Sequence, residues 1–108
     1  MRKKEKYLIV CITVPNKKTG NAIIKNILPK KLVSCINIIS KVDSFYWWKS
    51  KICNTKELLL MMKTTHYNFK KLEKYIKEIH PYEVPEIISI NIANGSKDYL
   101  DWIKEYTT

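Results

Sequence analysis

The side chains best suited to chemistry lie in residues 80–86, HPYEVPE. The two prolines push the residue before each of them into extended or polyproline conformation. A polyproline helix has about three residues per turn, so His80, Glu83 and Glu86 would project toward one side. An imidazole and two carboxylates suit a divalent cation such as copper or zinc. The segment predicts a metal site or, alternatively, a rigid connector whose histidine caps a helix and whose glutamates face solvent.

A second group of candidate residues lies on two neighbouring predicted strands. Glu57 and Lys63 are six residues apart on one strand and therefore share a face. If Tyr46 and Trp48 of the partner strand share that face, a polar and aromatic cleft forms beside a subunit boundary. The sequence predicts this inter-subunit cleft as a second possible ligand site.

Composition and motifs argue against several functions. The net charge is +10, but nineteen of the twenty basic residues are Lys, and specific phosphate and guanine recognition relies on Arg. The RNP1 pattern of an RNA-binding domain is absent, and so are GxSxG, GxGxxG, P-loop and HExxH motifs. No apolar run approaches the roughly eighteen residues that span a bilayer. We expect neither an enzyme nor a partner made of nucleic acid or membrane.

The three cysteines form neither CxxC pairs nor an even set. Secreted disulfide frameworks favour an even count. Reduced thiols and a cytoplasmic location are therefore expected.

Hydrophobic periodicity predicts one domain over residues 1–108, in which residues 1–6 form a flexible basic N-terminus. Strands are predicted at 7–14, 32–48, 57–65 and 86–92, with an irregular or bulged return at 51–56. Helices are predicted within 16–31, at 67–79 and at 97–106. The order β-α-β-β-α-β plus a C-terminal helix is that of the α+β class with a ferredoxin-like split βαβ fold.

The middle hairpin is too long for a solitary domain. Its arms would hold about fifteen residues, whereas strands usually hold about five or six. Its far end carries Phe45 and Trp47 on one face and Tyr46 and Trp48 on the other. Soluble proteins avoid leaving such a long aromatic edge bare. Obligate oligomerisation through the hairpin is predicted.

These residues together resemble the CutA family of divalent-cation tolerance proteins. The resemblance is carried by TVP after the first strand, KLVSCINI at 31–38, SFYWWKSK at 44–51, KTT at 63–65, HPYEVPE at 80–86 and DYLDWI at 98–103. It implies a ferredoxin-like protomer in a homotrimer with a long central hairpin, similar to PII-like signalling proteins. It also implies a role in the response to metal ions without an established reaction.

The family's suggested copper ligands are only partly present. They are a Cys near the end of the first strand and two adjacent His before Pro-Tyr, and Ile12 and Ile79 stand at two of these positions. His80 remains, which leaves a harder site with Glu83 or Glu86. The resemblance, together with the cluster of His80, Glu83 and Glu86, thus implies a trimer that binds divalent cations. The alternative is a PII-like sensor that binds a small anionic ligand in the inter-subunit clefts.

Overall fold

The first strand forms the centre of the fold. Residues Tyr7–Val14 (β1) are β-branched and apolar, and alternate side chains of this strand are fully buried. The structure, a computed structural model, describes residues 6–108. The predicted flexible N-terminus lies outside the described residues except for Lys6.

The remaining elements follow the predicted order. They are α1 (Lys17–Ile27), β2 (Cys35–Trp48), β3 (Lys51–Thr65), a 3-10 turn (His66–Asn68), α2 (Phe69–Ile79), β4 (Ile87–Asn91) and α3 (Lys97–Glu105). The side chains of Asn16 and Ser96 accept hydrogen bonds from backbone N–H groups in the first turns of α1 and α3. Pro81 follows α2, and His80 before it is extended.

The four strands form one antiparallel sheet in the order β2-β3-β1-β4. This arrangement confirms the predicted α+β, ferredoxin-like topology with its C-terminal helix. The even-numbered residues of β1 face a core that α1 and α2 complete, with Ile23, Ile27, Leu72 and Ile76 at or near zero exposure. The opposite face of the sheet is more open, and Ile88 and Ile90 of β4 are each 51% exposed there.

The hairpin of β2 and β3 has the predicted length, with strands of 14 and 15 residues. The prediction of an irregular return at 51–56 is wrong, because these residues pair continuously with β2. The irregularity lies in the other arm, between Ile39 and Val42, where Lys41 has a positive φ of 60°. One extra residue there is a β-bulge. The tight turn at Lys49 and Ser50 also has positive φ at both residues, as in a type I′ turn.

The bulge decides which side chains share a face. Beyond it, Val42 lies opposite Glu57 and Tyr46 lies opposite Cys53. Side chains alternate along a strand, so Tyr46 and Trp48 project on the face of Glu57. Without the extra residue, every side chain of the distal arm would lie on the other face. Phe45 and Trp47, on the opposite face, are 72% and 71% exposed.

Gly20 gives a test of this packing. It is buried in α1, and a Cβ atom added there would lie 3.5 Å from Val14 Cγ2 and 3.7 Å from Leu60 Cδ1. These are ordinary contact distances, and Gly in a helix costs about 0.5–1 kcal/mol relative to Ala. Gly20→Ala should therefore raise the free energy of unfolding in urea by about that amount. Ala22→Gly, at an exposed position of the same helix, should lower it; destabilisation by Gly20→Ala would contradict the packing described.

Candidate functional site

A hydrogen bond ties the segment at 80–86 to the hairpin. Glu57 of β3 is only 6% exposed, and its Oε2 accepts a hydrogen bond of 2.7 Å from the Tyr82 hydroxyl. The backbone N–H of Tyr82 donates to Nδ1 of His80 at 3.1 Å, and the two rings lie 4.8 Å apart. The buried carboxylate thus fixes the segment through the phenol.

A cleft of about 900 Å³ opens between these two parts of the chain. Its lining consists of Thr13, Glu57, residues 43–48 and residues 81–86. The structure therefore places Tyr46, Trp48 and Glu57 of the predicted cleft together. Four of the chain's ten acidic residues and five aromatic residues line it, and none of the lysines within residues 6–108 does.

Lys63 lies away from this cleft. Its ammonium group donates to Asn37 Oδ1, and in the sheet it lies opposite Cys35. Six residues along a strand correspond to about 20 Å, so a shared face did not bring Lys63 and Glu57 together. Within one chain, the predicted cleft therefore does not contain Lys63. The alternative function, the binding of a small anionic ligand, depended on that lysine as the group that contacts the anion.

His80 is buried and both of its ring nitrogens are engaged. Nε2 lies 2.8 Å from the carbonyl oxygen of Thr13, and Nδ1 accepts from the Tyr82 N–H. A carbonyl can only accept and an amide can only donate, so the ring is the neutral tautomer with its proton on Nε2. In this arrangement His80 positions Tyr82 and offers no free lone pair to a metal.

The other predicted ligands line the cleft with exposed side chains. Glu83 and Glu86 belong to its rim, and Glu86 lies near enough to Cys11 to add to the effect of burial, which raises the pKa of that thiol. Within residues 6–108, no group of three His, Cys, Asp or Glu side chains could hold a metal ion. Ile12 is fully buried in the core and Ile79 packs against it, so neither position adds a ligand.

Tyr82 is the residue of this site that the sequence analysis did not select. Burial raises the pKa of Tyr82 above its ordinary value of 10, and the hydrogen bond to Glu57, the charge of Glu57 and the neighbouring Tyr46 raise it further. The sequence did offer a signal for Tyr82, because it stands between two prolines in a rigid segment. The hydroxyl of a partly buried tyrosine needs a hydrogen-bond partner.

Comparison with known proteins identifies what this chain resembles. Residues 8–106 match the family described as CutA1 divalent ion tolerance protein. A divalent-cation tolerance protein CutA from Thermus thermophilus is 41% identical over 99 residues, which cover 92% of this chain and 96% of the relative. The solved structure of a divalent cation tolerance protein from the same organism superposes with a TM-score of 0.92 at 40% identity, over 94% of this chain and 99% of that one.

Two relatives bear on location. A protein named CutA 1, chloroplastic, from Oryza sativa is 38% identical over 100 aligned residues. The aligned region covers 93% of this chain and 56% of the relative. A periplasmic divalent cation tolerance protein from Archaeoglobus fulgidus is 36% identical with a TM-score of 0.89, over 93% of this chain and 97% of that one. The predicted cytoplasmic location is therefore wrong, because chains this similar carry the names of other compartments.

The helices also bear on the length and hydrophobicity that a membrane span requires. Each helix within residues 6–108 is too short or too polar to span a bilayer.

The hydrogen bond between Tyr82 and Glu57 predicts a pH-dependent stability. Tyr82→Phe should lower the free energy of unfolding by about 1–3 kcal/mol, because the buried carboxylate loses its donor. The raised pKa of Tyr82 means that the unfolded state loses this proton first as the pH rises above about 10. The wild type should therefore lose this contribution progressively above pH 10, so that its advantage over Tyr82→Phe shrinks.

Urea titrations of both proteins between pH 8 and 11 would measure this. Tyr67→Phe is a matched control, since Tyr67 is 83% exposed, and it should change stability by less than about 0.5 kcal/mol. Equal losses for the two variants, or an advantage of the wild type that grows above pH 10, would refute the prediction.

Proposed function

Because this chain belongs to the CutA1 divalent ion tolerance family, we propose that it acts in divalent-cation tolerance as a homotrimer without catalysing a reaction. The observation that carries the proposal is the carboxylate-lined cleft at the base of the hairpin tip. Carboxylate oxygens are common ligands of divalent cations. The cleft is thus the part of this chain best suited to bind a divalent cation.

Two exposed apolar surfaces support the trimer. One is the hairpin tip, where Phe45, Trp47 and Ile52 are each about 70% exposed. The other is the open sheet face with Ile88 and Ile90. Large apolar patches on soluble proteins mark interaction sites, and a symmetric closed assembly would cover both on every copy.

The cation would be bound by carboxylates at the cleft rim, with Glu83 and Glu86 as its ligands from this chain. One chain alone does not supply a full ligand set among the described residues, and His80 is held by Thr13 and Tyr82. A neighbouring copy or water would complete the coordination. Oxygen donors favour a hard or borderline divalent ion over copper(I).

Calorimetric titration of Mn²⁺, Zn²⁺ and Cu²⁺ tests this assignment. The double variant Glu83→Gln/Glu86→Gln should bind at least one of these ions about tenfold more weakly than the wild type, because the amides carry no charge. Glu78→Gln, an exposed change on α2, should leave the affinity unchanged.

The same titration decides between ligand sets. His80→Ala should keep most of the binding if the carboxylates are the ligands. Complete loss of binding in His80→Ala with full binding in the double variant would transfer the site to His80. Negligible heats for the wild type with all three ions would end the metal-binding proposal.

A further inference from the structure

We infer that the helical face of this protein binds an acidic segment of a partner protein, a segment rich in Asp and Glu that also carries apolar side chains. The helical face is the outer surface of α1, of the loop that follows it and of α2, within residues 16–31 and 66–80. The inference goes beyond the proposed role in divalent-cation tolerance and does not depend on it. It rests on the segregation of charge, on unpaired lysines and on one exposed leucine.

Most of the excess positive charge lies in this part of the chain. Residues 16–31 and 66–80 contain nine lysines and two glutamates, which gives a net charge of +7. The remainder of residues 6–108 contains eight lysines and seven acidic residues, a net charge of +1. A composition that is merely rich in lysine would spread this excess evenly. The helical face is therefore a distinct basic surface that attracts anionic partners.

All nine lysines of the helical face are exposed, and most of their charges are unpaired. Glu73 pairs with Lys70 at 3.8 Å and with Lys77 at 3.3 Å. The ammonium group of Lys30 donates to Asn26. The side chains of the other six form no ion pair and no hydrogen bond with the described residues, and these are Lys17, Lys18, Lys25, Lys31, Lys71 and Lys74. Six ammonium groups are thus available to the carboxylates of a partner.

These lysines belong to one continuous surface. The two helices contact each other and complete the same core. The ammonium group of Lys30 lies 5.2 Å from the centroid of the Tyr75 ring, which joins the loop after α1 to α2. Lys18 and Lys25 are about two helical turns apart, and Lys71 and Lys74 about one turn, so each pair projects on one side of its helix.

The proposed trimer leaves the helical face accessible. The surfaces that support the trimer are the hairpin tip and the open sheet face with Ile88 and Ile90. The two helices pack on the opposite face of the sheet, over the even-numbered residues of β1. The inference therefore uses no surface that other copies of the chain would cover.

The residue types of this face favour a protein partner over other polyanions. Its basic residues are all Lys, whereas recognition of phosphate groups favours the bidentate guanidinium of Arg. Leu28 is 38% exposed and lies three residues from Lys25 and from Lys31. Protein interfaces combine such an apolar contact with charged residues around it. An acidic segment with apolar side chains matches both features.

Fluorescence anisotropy with the full chain in the presence of EDTA tests the inference. The probe is a dye-labelled peptide of glutamates with interspersed leucines, and its counterpart has lysine at every glutamate position. The acidic peptide should bind saturably, and its affinity should fall as salt is added, because salt screens exposed charges. Equal binding of the two peptides, or no saturable binding of the acidic one, would overturn the inference.

Two variants that lose the same number of charges locate the binding. The first removes four unpaired ammonium groups of the helical face: Lys18→Gln/Lys25→Gln/Lys71→Gln/Lys74→Gln. The control removes four exposed lysines elsewhere: Lys6→Gln/Lys41→Gln/Lys97→Gln/Lys104→Gln. The first should bind the acidic peptide about tenfold more weakly than the wild type, and the control by less than about threefold, since both have the same net charge. Equal affinities of the two variants would overturn the assignment to the helical face.

Other anionic partners are outcomes of the same experiment. An oligothymidylate of matched charge and vesicles that contain phosphatidylserine should both bind more weakly than the acidic peptide. Tighter binding of either would overturn the inference in favour of nucleic acid or of a membrane. The double variant Glu83→Gln/Glu86→Gln should bind the acidic peptide as the wild type does, so the metal proposal and this inference can fail separately.

Discussion

The β2–β3 hairpin extends further than the two helices of the sheet can cover, and this constraint governs the rest of the molecule. The chain is elongated, with principal extents of 49 × 26 × 23 Å. Side chains of a two-stranded ribbon project to both faces, so Phe45 and Trp47 on one face and Tyr46 and Trp48 on the other cannot all be covered by one chain. Water is a poor solvent for such a surface. This exposed surface is the main support for the proposed trimer, in which other copies would cover the tip.

The same hairpin builds the cleft. The bulge between Ile39 and Val42 shifts the register by one residue and so brings Tyr46 and Trp48 to the face of Glu57. Glu57 then holds Tyr82, and Tyr82 with His80 fixes the segment that forms the opposite wall. The aromatic tip, the buried carboxylate and the proline-bounded segment are thus parts of one structure. A chain without the bulge would present Phe45 and Trp47 to Glu57 instead.

The sequence predicted the fold well, because the alternation of apolar and polar residues is a local signal. The strand at Tyr7–Val14 and the length of the hairpin followed from it. The bulge was assigned to the wrong arm, since Lys41 carries no residue preference for positive φ as Gly would. The site was harder to predict. Lys63 and Glu57 were predicted to lie together because residues an even number apart on a strand share a face, but six residues of strand separate them. Polyproline geometry did not reveal that both ring nitrogens of His80 form hydrogen bonds with the backbone.

The claim that copies of this chain cover one another's hairpin tips is tested most directly by the mass of the full chain in solution. Sedimentation equilibrium at micromolar concentration should give three times the 12.8 kDa of one chain. The double variant Phe45→Ser/Trp47→Ser should shift the distribution toward smaller species. A folded, non-aggregating wild type that sediments at 12.8 kDa would contradict the account.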